Sequence, residues 1–285
     1  MAKIQPVDFL GASAPPRCKH TPQFACMELM WGEVSGARFE PWLDEVRDLG
    51  FDGVAMRAQY VEAYLTRPSD FARLLHTHEL ALAGVYLKLD EVERLFEPLC
   101  HWLPQVGCAD LILYGGTAHT DAQRKTAARQ IDSLGEQASK HRVTVSYHHH
   151  SGNMFETLEQ TEALLQHAAP QHVGLFCDTG HCTQDFIGHP QALRARMLLE
   201  RNWPRVRYIE FKDWSPERGL ATELGQGRAD FAAVAELLRS KEYAGWITLE
   251  QNAPTPGSTP GACAGRNLQF SKGLFAECRL SAAKA

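Results

Sequence analysis

Two stretches decide the reading of this sequence: Val143-Thr-Val-Ser-Tyr-His-His-His-Ser-Gly152 and Val173-Gly-Leu-Phe-Cys-Asp-Thr-Gly-His181. Each is a short, largely apolar run that ends abruptly in side chains of the metal-ligand type. A run of this length, bounded by turn residues, suits a parallel strand buried on both faces. The polar residues then fall just past its C-terminal end. The pattern recurs along the chain, with strand-like runs at residues 24–31, 53–56, 81–87, 111–114, 143–147, 173–177, 206–211 and 246–250. Between them lie segments of helical apolar spacing, at 40–48, 70–78, 91–103, 121–141, 156–168, 190–201 and 231–238, with Gly50 and Gly107 as stops. Eight strands alternating with helices predict an α/β fold, a single-domain (β/α)8 TIM barrel, where an open doubly wound sheet would normally have fewer strands.

The 285 residues fit one such barrel, with 44% hydrophobic and 22% charged residues indicating a packed core. We expect residues 1–20 to form a loosely ordered leader and residues 21–285 the barrel. The leader has no continuous apolar core, so it reads as neither a signal peptide nor a membrane anchor. A net charge of −5, with no block of Lys or Arg, argues against nucleic acid and for a small-molecule partner. Of the eight cysteines, Cys26, Cys108 and Cys177 lie in or beside apolar runs and no Cys-x-x-Cys pair occurs. Free thiols and a cytoplasmic location follow as expectations. Residues 253–265, rich in Pro, Gly, Ala and Thr, read as a long loop after the eighth strand, either a lid or a plain solvent loop.

In a TIM barrel the C-terminal strand ends carry the chemistry. Residues two apart on a strand share a face, so His148 and His150 point together, as do Glu210 and Lys212. If that face is the barrel interior, His148, Asp178, Glu210 and Glu250 converge. One imidazole and three carboxylates suit Mn2+ or Mg2+, with Zn2+ and Co2+ also admissible, and the cation would compensate the clustered charge. The plain alternatives are that Asp178, before Thr179-Gly180, merely caps a helix, and that the three histidines are a chance cluster on a solvated loop.

These stretches also resemble the xylose isomerase-like barrel superfamily of sugar phosphate isomerases and epimerases, most of all its inosose dehydratase branch. The resemblance runs from Glu40-Pro-Trp-Leu-Asp-Glu-Val-Arg-Asp-Leu-Gly-Phe-Asp-Gly-Val54, through the two stretches above and Phe211-Lys-Asp213, to Leu224-Gly-Gln-Gly-Arg-Ala-Asp-Phe231 and Tyr243-Ala-Gly-Trp-Ile-Thr-Leu-Glu-Gln-Asn252. It implies a divalent metal held from strands five to eight, usually by Glu, Asp, His and Glu. Here the matching positions are His148, Asp178, Glu210 and Glu250, so the His and one Glu have exchanged places. The implied activity is enolisation of a sugar or cyclitol ketone, followed by dehydration, isomerisation or epimerisation, or by elimination from a 3-keto glycoside. Glu250 would be the base, with Lys212 and His181 holding substrate oxygens and His150 as a further acid candidate. Trp31, Tyr114, Gln226 and Arg228 are candidate substrate contacts, and a homodimer or tetramer is expected. An abasic-site endonuclease, which would need more His and Asp ligands, and a non-catalytic sugar-binding barrel are the other classes.

Overall fold

The computed structural model describes residues 21–276, so the expected leader at 1–20 lies outside the described residues. In chain order the strands are β1 (Gln23–Met27), β2 (Gly53–Arg57), β3 (Ala81–Lys88), β4 (Asp110–Tyr114), β5 (Thr144–Tyr147), β6 (Val173–Asp178), β7 (Val206–Phe211), β8 (Asp213–Ser215), β9 (Gly219–Thr222) and β10 (Trp246–Leu249). The helices are α1 (Phe39–Leu49), α2 (Ala58–Val61), α3 (Pro68–Thr77), α4 (Val92–Trp102), α5 (Asp121–Ser139), α6 (Leu158–His167), α7 (Thr179–Asp185), α8 (Arg194–Arg201), α9 (Phe231–Ser240) and α10 (Pro260–Leu274). Eight strands close into a parallel barrel in the order β1-β10-β7-β6-β5-β4-β3-β2, while β8 and β9 form a separate antiparallel hairpin. The expected (β/α)8 barrel is the observed fold.

Strand alternation divides the apolar residues into two layers. Ala25, Met27, Ala55, Ala83, Tyr86, Ile112, Phe176 and Tyr208 fill the barrel interior, and a much larger cluster fills the space between barrel and helices. On β6 and β7, Cys177, Ile209 and Phe211 belong to the outer layer while Phe176 and Tyr208 point inward. Asp178 and Glu210 therefore continue the inward-facing rows of Phe176 and Tyr208 at the C-terminal end. A register shift between β2 and β3, where Val54 pairs with Leu82 but Ala55 with Gly84, places one extra residue in β3.

Several helix boundaries follow from local chemistry. Thr120 with Gln123 and Thr157 with Gln160 close reciprocal capping boxes at the starts of α5 and α6. Gly50 ends α1 in a left-handed conformation, as does Gly107 after the short 3-10 turn at Leu103–Val106. Three features depart from the sequence reading. The first strand stops at Met27, and residues 29–31 turn into a 3-10 helix. The expected loop at 253–265 is shorter, because Thr259 caps α10 and Pro260 occupies its first turn, where a missing N–H costs nothing. The hairpin β8/β9 and the short α7 were not anticipated. Their segments are too brief for hydrophobic periodicity to register.

Gly53 sits where β2 passes β3 most tightly: a Cβ there would lie 2.4 Å from the Ala81 carbonyl oxygen and 2.9 Å from the Trp246 ring. A backbone oxygen cannot rotate aside. Gly53→Ala should therefore destabilise the barrel by about 1–3 kcal/mol, read as a lower urea midpoint at unchanged m value.

Candidate metal centre

At the C-terminal mouth, His148 follows β5, Asp178 ends β6, His181 lies in the first turn of α7 and Glu210 is on β7; all four are buried. One ligand atom from each of His148, Asp178 and His181 falls within a mutual 4.8 Å. His148 Nε2 is 3.7 Å from Asp178 Oδ2 and 3.8 Å from Glu210 Oε1, and His181 Nε2 is 3.7 Å from Asp178 Oδ2. These separations are too long for hydrogen bonds. Asp178 Oδ2, His181 Nε2 and Glu210 Oε1 are all buried without a hydrogen-bond partner.

The other atoms of the same side chains are fully engaged, and this fixes which atoms point inward. His148 Nδ1 lies 2.6 Å from the His149 carbonyl, so it carries the proton and leaves a lone pair on Nε2. Asp178 Oδ1 accepts from the backbone N–H of Gly180 at 2.7 Å and of His181 at 3.0 Å. The capping reading of Asp178 is thus correct for one oxygen, while the second remains free for the centre. His181 Nδ1 is occupied by Asp185 Oδ2 at 3.1 Å, Ser151 Oγ at 3.0 Å and the Ser151 backbone N–H at 3.3 Å, so Nε2 is the ring nitrogen turned toward the centre. Glu210 Oε2 accepts from the Tyr86 hydroxyl at 2.6 Å. Carboxylates and carbonyls behind ligand imidazoles are the usual means of fixing tautomer and orientation. The ring of His148 also stacks on Phe176, with centroids 4.6 Å apart, and Phe176 stacks on Tyr208.

The electrostatics match this arrangement. Burial, followed by the charges of Glu250 and Asp178, pushes the Glu210 carboxyl well above the usual range, and burial also raises Asp178. Burial drives His148 and His181 well below the usual imidazole range. Burial works against the Lys212 ammonium too, but Glu250, Asp178 and Glu210 outweigh it and its pKa rises. Lys212 Nζ bonds Glu250 Oε1 directly. One ammonium against the carboxylates of Asp178, Glu210 and Glu250 leaves two negative charges, the charge of a divalent cation. The donor set, its partnerless inward atoms and its charge all fit such an ion.

Not every expected residue joins this cluster. Glu250 stands at the end of β10 with one oxygen on Lys212, and neither it nor Glu210 belongs to the close trio of His148, Asp178 and His181, although Glu210 Oε1 comes within 3.8 Å of His148 Nε2. His181, read from sequence as a substrate contact, is one of the close donors. His150 is half-buried at the rim, its ring 4.0 Å from that of His181. Tyr114 ends β4 on the inward side of the mouth. The Trp31 indole donates to Glu45 Oε2 at 2.7 Å and meets the edge of Trp42, so it leans on α1. Gln226 and Arg228 sit on the loop after β9, which Asp213 gathers by accepting backbone N–H groups from Gly225, Gly227 and Ala229. A Cβ at Gly227 would lie 2.2 Å from Asp213 Oδ1, so that position requires glycine.

Sequence reasoning passed over Tyr86, Asp185 and His149. Tyr86 lies within an apolar strand, and Asp185 depends on α7, which was not foreseen. His149 faces away from the centre, as alternation predicts, yet its Nε2 accepts the Asp178 backbone N–H at 3.2 Å.

A (β/α)8 barrel with a buried cluster of His, Asp and Glu donors at its C-terminal mouth, of the kind that can hold a divalent ion, is the class that this fold and cluster define. The family model for the xylose isomerase-like TIM barrel matches residues 43–273, and the chain belongs to that family. Among proteins of similar sequence, inosose dehydratase of Halalkalibacterium halodurans is 25% identical over 215 residues, covering 62% of this chain and 69% of that protein. Inosose dehydratase of Salmonella agona is 27% identical over 148 residues, covering 46% of this chain and 47% of its own. A xylose isomerase-like TIM barrel protein from Mycobacterium smegmatis, solved in complex with magnesium, superposes with a TM-score of 0.71 at 18% identity, over 92% of this chain and 99% of that one. At that identity the superposition establishes the fold.

Two expectations follow. A divalent ion at 100 times its dissociation constant should stabilise the protein by about 2.7 kcal/mol, seen as a raised melting temperature that EDTA reverses. Asp178→Asn should lose most of that shift while still melting cooperatively, because an amide oxygen can keep the helix cap. The second concerns His149, which burial holds at a pKa of about 3. Its folded pKa lies below the unfolded value near 6.5, so its stabilising contribution is present above that value and lost as pH falls. His149→Gln should therefore be less acid-sensitive: in metal-free protein its stability relative to wild type should improve steadily below about pH 6.5.

Proposed function

We propose that the chain is a divalent-metal-dependent enzyme that removes the proton beside the carbonyl of a sugar or cyclitol ketone and then expels a β-hydroxyl, the dehydration named in its inosose dehydratase relatives. The observation that carries this reading is the buried convergence of Asp178 Oδ2, His181 Nε2 and Glu210 Oε1 with His148 Nε2 at the mouth of the barrel. These four residues would hold the ion. Two imidazoles mixed with carboxylates favour Mn2+, and the same set also accommodates Mg2+, Co2+ or Zn2+. When bound, the ion supplies Lewis-acid polarisation of the substrate carbonyl, which acidifies the adjacent C–H.

The remaining steps belong to the protein. Glu250 is our choice of base: Lys212 fixes one of its oxygens and no other side chain is bonded to the carboxylate among the described residues. The Lys212 ammonium lies beside the carboxylates and steadies negative charge that develops on substrate oxygen. His150, half-exposed against His181, is placed to deliver a proton to a departing hydroxyl. Tyr86 and Asp185 act through the residues they hold, Glu210 and His181. Tyr114 faces the same mouth, and Gln226 and Arg228 approach it from the loop that Asp213 organises.

A second reading, isomerisation or epimerisation, draws on the same geometry. The pairs Glu250–Lys212 and His150–His181 provide two separate places where a proton can be taken up and returned.

Deuterium wash-in tests the base. In the metal-loaded protein in D2O, inososes and ketohexoses should be screened for C–H exchange by NMR. Glu250→Gln should lower the exchange rate of the responsive ketone by about 10²–10⁴-fold while metal uptake and melting behaviour persist. Undiminished exchange in that variant would remove Glu250 from the role.

A further inference from the structure

The barrel order places β2 four strands from β6 in either direction, so the end of β2 faces Asp178 across the mouth. That end is Arg57. It follows Ala55 by two residues, and Ala55 lies in the interior layer, so Arg57 shares the inward face. Its Nε donates to Glu28 Oε1 at 2.6 Å and its Nη2 to the Tyr60 hydroxyl at 3.1 Å, which in turn donates to the Gly32 carbonyl. The guanidinium carbon lies 5.4 Å from the Tyr60 ring centroid. Glu28, on the residue that follows β1, is fully buried, and its Oε2 has no partner.

This arrangement braces the guanidinium on one side and leaves the other free. No bond from Nη1 is made among the described residues, and the Arg57 side chain is 28% exposed. Two other cations at this end are engaged, Lys212 with Glu250 and Lys88 with Asp90. Burial also pushes the Glu28 carboxyl up to about 7 in spite of Arg57, so near neutrality it only partly offsets the guanidinium. A planar, half-desolvated fork with open donors matches a carboxylate, whose two oxygens it can grip together; a hydroxyl would leave its charge unanswered.

We propose that Arg57, held in place by Glu28 and Tyr60, anchors a carboxylate on the part of the substrate remote from the enolised carbonyl, so that the substrate class is an acidic sugar or cyclitol ketone. The assignment rests on the metal-centred enolisation above and narrows it. Glu28 is a positioning residue: it acts on substrate only through Arg57.

Matched ketoses isolate the anchor. D-fructuronate and D-fructose differ only in bearing a carboxylate or a hydroxymethyl group at C6, and D-tagaturonate and D-tagatose form a second such pair. Calorimetry on the Mn2+-loaded protein should show a ketouronate bound at least about tenfold more tightly than its neutral partner. Arg57→Met should erase that gap by weakening the ketouronate alone, and Arg57→Lys should keep part of it; Mn2+ uptake reports that each variant is folded. Glu28→Gln should raise KM for the ketouronate by a larger factor than it lowers kcat. Equal binding of the two members of both pairs, absence of binding by all four, or a preference that survives in Arg57→Met would each overturn the proposal. Enolisation has its own readout: a ketouronate that binds through Arg57 but exchanges no C–H deuterium refutes the enolisation and leaves the anchor standing.

Discussion

Lone pairs that face one another in a buried interior set the terms for this structure. Asp178 Oδ2, Glu210 Oε1 and His181 Nε2 lie around His148 Nε2, and no protein donor satisfies those three. Leaving buried polar atoms unpaired costs about 1–3 kcal/mol each, and more where charge is involved. Natural folds keep such a cluster where something else compensates it. The surrounding hydrogen bonds then make sense as a single device. The His149 carbonyl, the α7 backbone, Asp185 and Tyr86 each take up the outward atom of one donor, so that only the inward atom remains for the ion.

The barrel supplies the rigidity that this arrangement needs. Phe176 and Tyr208 stack beneath the cluster and fill the interior, so His148 rests on an aromatic floor. Parallel strands bring their C-terminal ends to one rim, which places donors from β5, β6 and β7 side by side even though His148 and Glu210 are more than sixty residues apart in sequence. The rim is also polarised. The buried candidate donors occupy β5 to β7, a carboxylate–ammonium pair lies between β7 and β10, and a carboxyl–guanidinium pair spans β1 and β2. The proposed base and the proposed anchor would thus fall to separate arcs of one circle.

Much of this was legible in the sequence, for a reason that also marks where legibility ends. Strand alternation is a local rule, and it correctly sets Asp178 and Glu210 on the inner face and His149 on the outer. It cannot weigh two partners competing for one side chain. Glu250 shares the inward face, yet whether it joins the donors or pairs with Lys212 depends on distances across the barrel. Nor can periodicity register an element as short as α7, and with it the link from Asp185 to His181. Glu28 was unreadable for a related cause. β1 ends one residue before Glu28, which enters a 3-10 turn, so a period of two no longer describes where its carboxyl points. The eight-strand count, by contrast, needed only the recurrence of apolar runs.

The loop that carries Gln226 and Arg228 is gathered mainly through its backbone: Asp213 accepts the N–H groups of Gly225, Gly227 and Ala229, Asn267 accepts that of Leu224, and the Trp214 carbonyl accepts that of Arg228. The Leu224 side chain is buried beside it and Glu223 pairs with Arg266, while no side-chain bond of Gln226 or Arg228 holds the loop among the described residues, and β8 and β9 pair with each other outside the closed barrel. Gln226 and Arg228 can therefore be exchanged, between the constrained glycines at 225 and 227, without disturbing the donors on β6 and β7. The fold separates a rigid cluster at the strand ends from an editable rim, and such a separation lets recognition change while the buried donors stay in place.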